Sequence, residues 1–125
     1  MYEDLLTSNE TICAFLGTQA IAEELKEYLF EDFLPRRVAA GIRANVILSG
    51  HDDNKKYAAS DKKNLKQSKI IDHDAFEMES EINLYGPNKI AIALFSGDEM
   101  SAFIIHSPKL YKSLMSIFTI MRQTK

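Results

Sequence analysis

The amino-acid sequence predicts a single α/β domain built on one mixed sheet, and three observations lead to this prediction. The 125 residues, 46% of them apolar, can enclose one hydrophobic core but are too few for two comfortable domains. A strand, helix, strand pattern in the N-terminal third is typical of a parallel βαβ unit. Three alternating segments followed by a helix start are typical of an antiparallel meander with a C-terminal helix.

The strands and the first helix of the βαβ unit are predicted from short sequence runs. Residues 2–7, YEDLLT, are typical of the last turns of a helix that arrives from elsewhere, because so short a helix is marginal alone. Residues 11–17, TICAFLG, suit a buried strand in which Cys13 is a structural thiol. Residues 42–50, IRANVILSG, supply a second strand, which we expect to lie parallel to the first.

A helix between these two strands is predicted to begin at Thr18, whose hydroxyl offers an N-cap. Apolar residues then follow at helical spacing, namely Ile21, Leu25, Leu29 and Phe33. Pro35 has no backbone N–H and disfavours helix at the residue before it, so the helix is predicted to break there. It should restart as a short segment that ends at Gly41.

The second half of the chain is predicted to consist of a polar connection, four strands and a helix. Residues 50–68 indicate a solvated loop or a short exposed helix, and residues 68–80 leave room for one short strand. Residues 80–107 predict three antiparallel strands, with turns at 86–88 and 96–98. Ser107 as N-cap and Pro108 then open a helix. Its apolar stripe, which is expected to face the core, comprises Leu110, Leu114, Ile117, Phe118 and Met121.

Candidate ligand-binding residues lie beyond the carboxyl ends of the two parallel strands, where open α/β sheets bind ligands. They are Thr18 after the first strand, and Ser49 and His51 at the end of the second strand. The backbone donors that follow Thr18 could hold an anion. Arg36 and Arg37 are further candidate anion partners, and the alternative is an exposed basic turn paired with nearby carboxylates.

A second group of candidates lies on the predicted meander. Strand alternation places Asn83 and Tyr85 on the same face as Glu81, and this face is either exposed to solvent or the polar wall of a pocket. Lys89 follows at the start of the next strand. We therefore take Asn83, Tyr85 and Lys89 as candidate ligand-binding residues.

Composition excludes several classes of protein. A net charge of −3 argues against an unaided nucleic-acid binder, because phosphate contacts need a concentrated basic surface. The sequence has neither a run approaching about 18 apolar residues nor a signal pattern, and its single cysteine fits a reducing compartment. We expect a cytoplasmic protein that does not contact membranes. The histidines lack the spacing of a metal site, so we predict no metal and no cofactor.

Several features together resemble one known family. They are Pro35, Arg37 and residues 41–42 ahead of the second strand, the strand pair around residues 85–89, and the closing helix with residues 117–118. In these features the chain resembles the C-terminal effector domain of TrmB-like transcriptional regulators, which is of a degenerate phospholipase D-like type. The resemblance covers nearly the whole chain and implies one half of a phospholipase D-like fold.

This resemblance implies a non-enzymatic domain for ligand sensing and dimerisation. Residues 1–125 would be a single effector domain, cut from a longer chain that carries an N-terminal winged-helix domain. The expected partners are a second copy of the chain and a small-molecule effector such as a sugar or a phosphorylated metabolite. DNA would be bound only through the N-terminal domain.

The catalytic form of the fold uses a His-x-Lys-x4-Asp motif, in which histidine is the nucleophile. In this chain, each histidine is followed two residues later by a residue other than lysine. These pairs are His51 and Asp53, His73 and Ala75, and His106 and Pro108. Lys89 alone resembles a remnant of the motif, so we predict no catalytic residue. Two alternatives stay open: a phosphodiesterase-like enzyme with a partner-completed site, and a stand-alone protein-interaction module.

Overall fold

A computed structural model shows a six-stranded mixed sheet with helices on both faces. The structure describes residues 1–17, 23–51, 55, 57–96 and 99–124. Its strands are β1 (Ile12–Leu16), β2 (Ala44–Ser49), β3 (Lys66–Ile71), β4 (Ser80–Tyr85), β5 (Lys89–Ser96) and β6 (Glu99–His106). Their order in the sheet is β3-β2-β1-β4-β5-β6.

Strand directions divide the sheet into two halves. The pairs β1/β2 and β2/β3 are parallel, whereas β1/β4, β4/β5 and β5/β6 are antiparallel. The predicted α/β class, with a parallel unit joined to an antiparallel meander, is confirmed.

The helical segments with defined bounds lie at the N-terminus, between β1 and β2, and at the C-terminus, and residues 55 and 57–58 after β2 are also helical. The segments with defined bounds are α1 (Tyr2–Leu5), α2 (Glu23–Tyr28), a π-helical turn (Leu29–Phe33), α3 (Leu34–Ala39) and α4 (Pro108–Gln123). The predicted helix start at Thr18 and the first predicted apolar residue of that helix, Ile21, lie outside the described residues.

Each face of the sheet carries its own hydrophobic core. On the first, which we call the α1–α3 face, Tyr2 and Leu5 of α1 pack with Tyr85 and Ala91 of the sheet, and Phe33 packs against them. On the second, the α4 face, Phe118 packs in one cluster with five strand residues, namely Cys13, Phe15, Ile47, Leu84 and Ile90. Burial raises the pKa of the Cys13 thiol, in agreement with the predicted structural role.

Pro35 does not interrupt the helical segment, so the predicted break is wrong. Leu34 keeps α-helical angles, φ −61° and ψ −48°, and its N–H donates to the carbonyl oxygen of Leu29, five residues earlier. The π-helical turn is wider than an α-helical turn and leaves room for the proline ring, which collides with a backbone carbonyl in a regular helix. The helix therefore continues through Pro35.

The predicted end of this helix at Gly41 is confirmed. Gly41 has a φ of +72°, in the left-handed region that glycine adopts without a steric penalty. Its N–H donates to the oxygen of Val38 at 3.0 Å, and the N–H of Ile42 donates to the oxygen of Arg37 at 3.1 Å. This pair of bonds is a Schellman motif, which satisfies the last carbonyls of α3.

The polar segment after β2 is more ordered than predicted, because β3 begins at Lys66 and not after Ser68. The Lys66 ammonium is buried, donates to the Asp61 carboxylate and to the backbone oxygen of Tyr57, and lies 3.9 Å from the Tyr57 ring centroid. These partners offset the cost of burying a charge. A lysine that would ordinarily mark a loop is thus the first residue of a strand.

The predicted N-cap of the last helix is confirmed, but its predicted core stripe is only partly correct. Ser107 Oγ accepts a hydrogen bond from the Leu110 N–H at 3.1 Å. Phe118 is buried, whereas Leu110 and Ile117 are 37% and 50% exposed. The stripe is wider than the surface that the sheet can cover, so its outer members stay in solvent.

Candidate functional site

A cavity of about 420 Å³ lies between the α1–α3 face of the sheet and the helices that cover it. Its floor is mainly aliphatic and is formed by β1 and β2, through Ile12, Ala14, Leu16, Val46 and Leu48. Its opposite wall includes Phe30, Phe33 and Leu34. The volume suits a small molecule, and the apolar walls suit one with an apolar part.

Glu81 is the main polar group of this cavity. Its side chain is buried, accepts a hydrogen bond from the Tyr2 hydroxyl at 3.2 Å and accepts another from Asn83 Nδ2 at 2.8 Å. Burial raises the pKa of Glu81 above its ordinary value, although the bonds from Asn83 and Tyr2 oppose the rise. The carboxyl oxygens of Glu81 can accept hydrogen bonds from a ligand, and the raised pKa widens the pH range in which this group can also donate one.

Tyr57 and Arg37 line the same cavity with different roles. Burial raises the pKa of the Tyr57 hydroxyl to about 12, so this hydroxyl stays protonated. The guanidinium of Arg37 is 3% exposed, and it donates to the backbone oxygens of Ile42 at 2.7 Å and Asn64 at 2.6 Å. These bonds tie α3 to the segment before β3, so Arg37 has a structural function at the cavity wall.

Among the described residues, the other predicted candidates do not line this cavity. Arg36 bonds Glu3 at 2.9 Å and Asp32 at 2.6 Å on the outer side of α3, which matches the alternative reading of a basic turn paired with carboxylates. Ser49 is fully buried in β2. Thr18 lies outside the described residues. The structure therefore brings together Asn83 and Arg37 but not Arg36 and Ser49.

Tyr85 and Lys89, two more of the candidates, hold α1 in place. The Tyr85 hydroxyl donates to Asp4 Oδ2 at 2.6 Å, and Lys89 Nζ donates to the same oxygen at 3.1 Å. The bond from Tyr85 is the largest cause that lowers the pKa of Asp4, and Lys89 adds to it. Both side chains thus use their polar groups to bind Asp4 of α1.

The candidate His51 lies beyond β2 in an exposed group of polar side chains. Its ring stacks on the ring of His73 with 4.6 Å between centroids, and its Nε2 lies 3.3 Å from Glu77 Oε1. His73 also neighbours the exposed carboxylates of Asp72 and Asp74. Exposed side chains of this kind are commonly solvated, and none of these described side chains lines the cavity.

Helix α1 joins the cavity to two other parts of the domain through three consecutive residues. Tyr2 bonds Glu81 inside the cavity, and Asp4 bonds the sheet. Glu3 bonds Arg36 of α3 and accepts a hydrogen bond from Tyr28 of α2. A shift of Glu81 would therefore disturb its bonds with Asn83 and Tyr2, and the bond with Tyr2 connects it to α1.

Strand alternation predicts the face of β4 on which Glu81 lies, but it does not identify Glu81 as a site residue. The sequence pattern gives no indication of Tyr2 or Tyr57. A glutamate on an alternating strand with apolar neighbours is a signal for a buried carboxyl group. Tyr2 and Tyr57 gave no comparable signal, since their positions depend on contacts with residues far along the chain.

Replacing Glu81 with glutamine is expected to change how stability depends on pH. Because the pKa of Glu81 is raised, the folded protein holds a proton that the unfolded chain loses above about pH 4.3, so wild type loses stability as pH rises above that point. Glutamine does not titrate. The stability of Glu81→Gln relative to wild type should therefore increase from pH 4 towards neutral pH, as measured by urea unfolding. Parallel curves would contradict a raised pKa of Glu81.

Comparison with known proteins gives a match among solved structures. No protein-family model matches the chain, and no curated protein matches it. The fold is similar to that of TrmBL2, an archaeal chromatin protein whose structure shows a novel mode of DNA binding. The similarity has a TM-score of 0.57 at 12% sequence identity, and it covers 96% of this chain but only 46% of TrmBL2. In the part of the chain that the structure describes, no helix is long and apolar enough to cross a membrane.

Proposed function

We propose that this domain is a non-enzymatic ligand-sensing and dimerisation domain of a transcriptional regulator. The observation that carries the proposal is the cavity whose main polar group, Glu81, is bonded directly to α1 through Tyr2. The fold shared with TrmBL2 agrees with a regulator, and that protein is more than twice as long. DNA binding would belong to a further domain on the N-terminal side.

The proposed mechanism is a shift between two positions of α1. A ligand that bonds Glu81 competes with the Tyr2 hydroxyl, which is only 3.2 Å away and shares the same carboxyl group. Loss of that bond weakens one of three attachments of α1, while Glu3 and Asp4 retain theirs. A ligand that favours the loosened position shifts the population towards it, and a domain attached to α1 would follow.

The arrangement of Lys89 and His106 supports a function without catalysis. The two residues are direct cross-strand partners in β5 and β6, but the Lys89 ammonium is bonded to Asp4. Asp4 takes both of these hydrogen bonds on a single oxygen, so the lysine is an attachment point of α1. A phosphoester substrate would have to compete with that carboxylate for the ammonium group.

The proposed ligand can be sought by thermal shift with sugars, phosphorylated metabolites and small amphipathic acids. A compound present at 100 times its dissociation constant should stabilise the domain by about 2.7 kcal/mol. Ala14→Leu adds three carbon atoms to the cavity floor and should abolish this stabilisation, whereas Leu94→Ala, on the opposite face of the sheet, should preserve it. A screen without any hit, or a hit that Ala14→Leu leaves unchanged, would contradict ligand sensing at this cavity.

A further inference from the structure

Strand β6 is the last strand of the sheet and presents an unpaired edge. The Ser107 N–H donates to the oxygen of Asn88 at 3.1 Å, at the next position of the β5–β6 register. In an antiparallel pair, backbone groups point alternately towards and away from the neighbouring strand. The N–H and C=O groups that point away from β5 are therefore those of Met100, Ala102, Ile104 and His106. No other described strand pairs with them.

Apolar side chains near this edge are exposed. Phe103 is 53% exposed and Leu94 is 45% exposed, and strand alternation places both on the α4 face. An edge with free backbone groups beside exposed apolar side chains readily pairs with another chain.

We propose that β6 pairs with β6 of a second copy of this chain, antiparallel, around a two-fold axis at Phe103. A two-fold axis perpendicular to the sheet keeps the same face of the sheet on the same side in both copies. Residues that pair across the axis must then point to the same face, so the axis passes through a residue position and not between two residues. Centring on Phe103 sets it against the partner's Phe103 at a position without backbone hydrogen bonds, where cross-strand side chains are closest. All four outward residues then face one another, with Ala102 opposite the partner's Ile104 and Met100 opposite the partner's His106.

Charge agrees with a second copy as the occupant. Antiparallel pairing sets Glu99, at the start of β6, opposite the partner's Ser107 and near the partner's Lys109. Helix α4 contains Lys109, Lys112 and Arg122 and no acidic residue. Opposite charges therefore meet at both ends of the pairing, and the two-fold axis makes the two contacts identical.

The same axis places both α4 helices on one side of a continuous sheet. The exposed Phe103 and Leu94 of each copy then lie on the same face of that sheet as the two helices. This single arrangement thus gives partners to the outward N–H and C=O groups of β6 and covers the exposed apolar side chains. The inference rests on the dimerisation in the proposed function, and it does not depend on the ligand.

Charge replacement at Phe103 tests the proposal by sedimentation equilibrium. Phe103→Glu and Phe103→Lys should each raise the dimer dissociation constant at least about tenfold, because like charges would face each other on the axis. An equimolar mixture of the two should recover dimers, since the charges then complement each other. Recovery cannot come from misfolding, so it separates loss of the interface from loss of structure.

Proline at Ala102 tests the backbone part of the pairing. The Ala102 N–H points away from β5, so Ala102→Pro removes only an outward donor and should leave a folded monomer, as edge strands tolerate proline there. Ala102→Thr keeps the donor and should remain a dimer. A wild-type dimer that no variant affects would overturn this surface but leave dimerisation standing. A wild-type monomer at all concentrations would overturn both, while the thermal-shift test of ligand sensing would stand apart.

Discussion

Replacing Arg37 with alanine is expected to lower the free energy of unfolding by about 3 kcal/mol. The guanidinium is buried and satisfies the carbonyl oxygens of Ile42 and Asn64, which lie 22 positions apart in the chain. Without it, two partly buried acceptors lose their donors, and leaving a buried acceptor unsatisfied costs about 1–3 kcal/mol. Urea unfolding followed by circular dichroism would measure the change.

The neighbouring arginine supplies a matched control for this prediction. Arg36 is also bonded to carboxylates, but its side chain lies in solvent, so Arg36→Ala should have a much smaller effect. Arg37→Lys should fall between wild type and alanine, because a single ammonium cannot reproduce the planar fork. Equal effects at Arg36 and Arg37 would contradict the structural function of Arg37 and would revive it as a ligand-binding residue.

Replacing Phe118 with alanine is expected to cost about 4 kcal/mol. Phe118 is the buried residue of α4, and its ring meets the Phe15 ring edge to face, with 5.4 Å between centroids and an angle of 85°. Removing the ring leaves a cavity on the α4 face that the strands cannot close, since they are fixed by their hydrogen bonds. Urea unfolding at a fixed protein concentration would measure the loss.

The adjacent residue again provides the control. Ile117→Ala removes a side chain of similar character that is half exposed, so it should cost less than about 1 kcal/mol. If Ile117→Ala is the more damaging change, then the core side of α4 has been misassigned. If both changes are mild, α4 contributes little to the stability of the sheet.

Much of the fold could be predicted from the sequence because it depends on local patterns. The alternation in β4 and β5, the Ser107 cap and the helix end at Gly41 each arise from neighbouring residues. The course through Pro35 could not be predicted in this way, because the π-helical turn that accommodates the ring has no sequence signature. Lys66 was misread for a related reason: its burial depends on Asp61 and Tyr57, whose positions follow from the folded chain.

The candidate site was only partly predictable. Alternation placed Asn83 on a face that was either exposed to solvent or a pocket wall, and in the structure Asn83 lines the cavity beside Glu81. An anion site was predicted from the ends of the parallel strands and from the two arginines. The cavity instead lies on the sheet face, and Arg37 donates to backbone carbonyls. The helices that cover the sheet determine which part of its face stays open. Their positions depend on contacts between residues that are far apart in the sequence.

The attachment of α1 has a consequence for its exchange kinetics. The Leu5 N–H donates to the oxygen of Met1 at 3.2 Å, so it can exchange with deuterated water only when this short helix opens. Opening strains the bonds of Tyr2, Glu3 and Asp4 to neighbours in the cavity, the covering helices and the sheet. A ligand that takes over Glu81 would hasten deuteration at Leu5 without touching it, so a single amide could report occupancy of the cavity from outside.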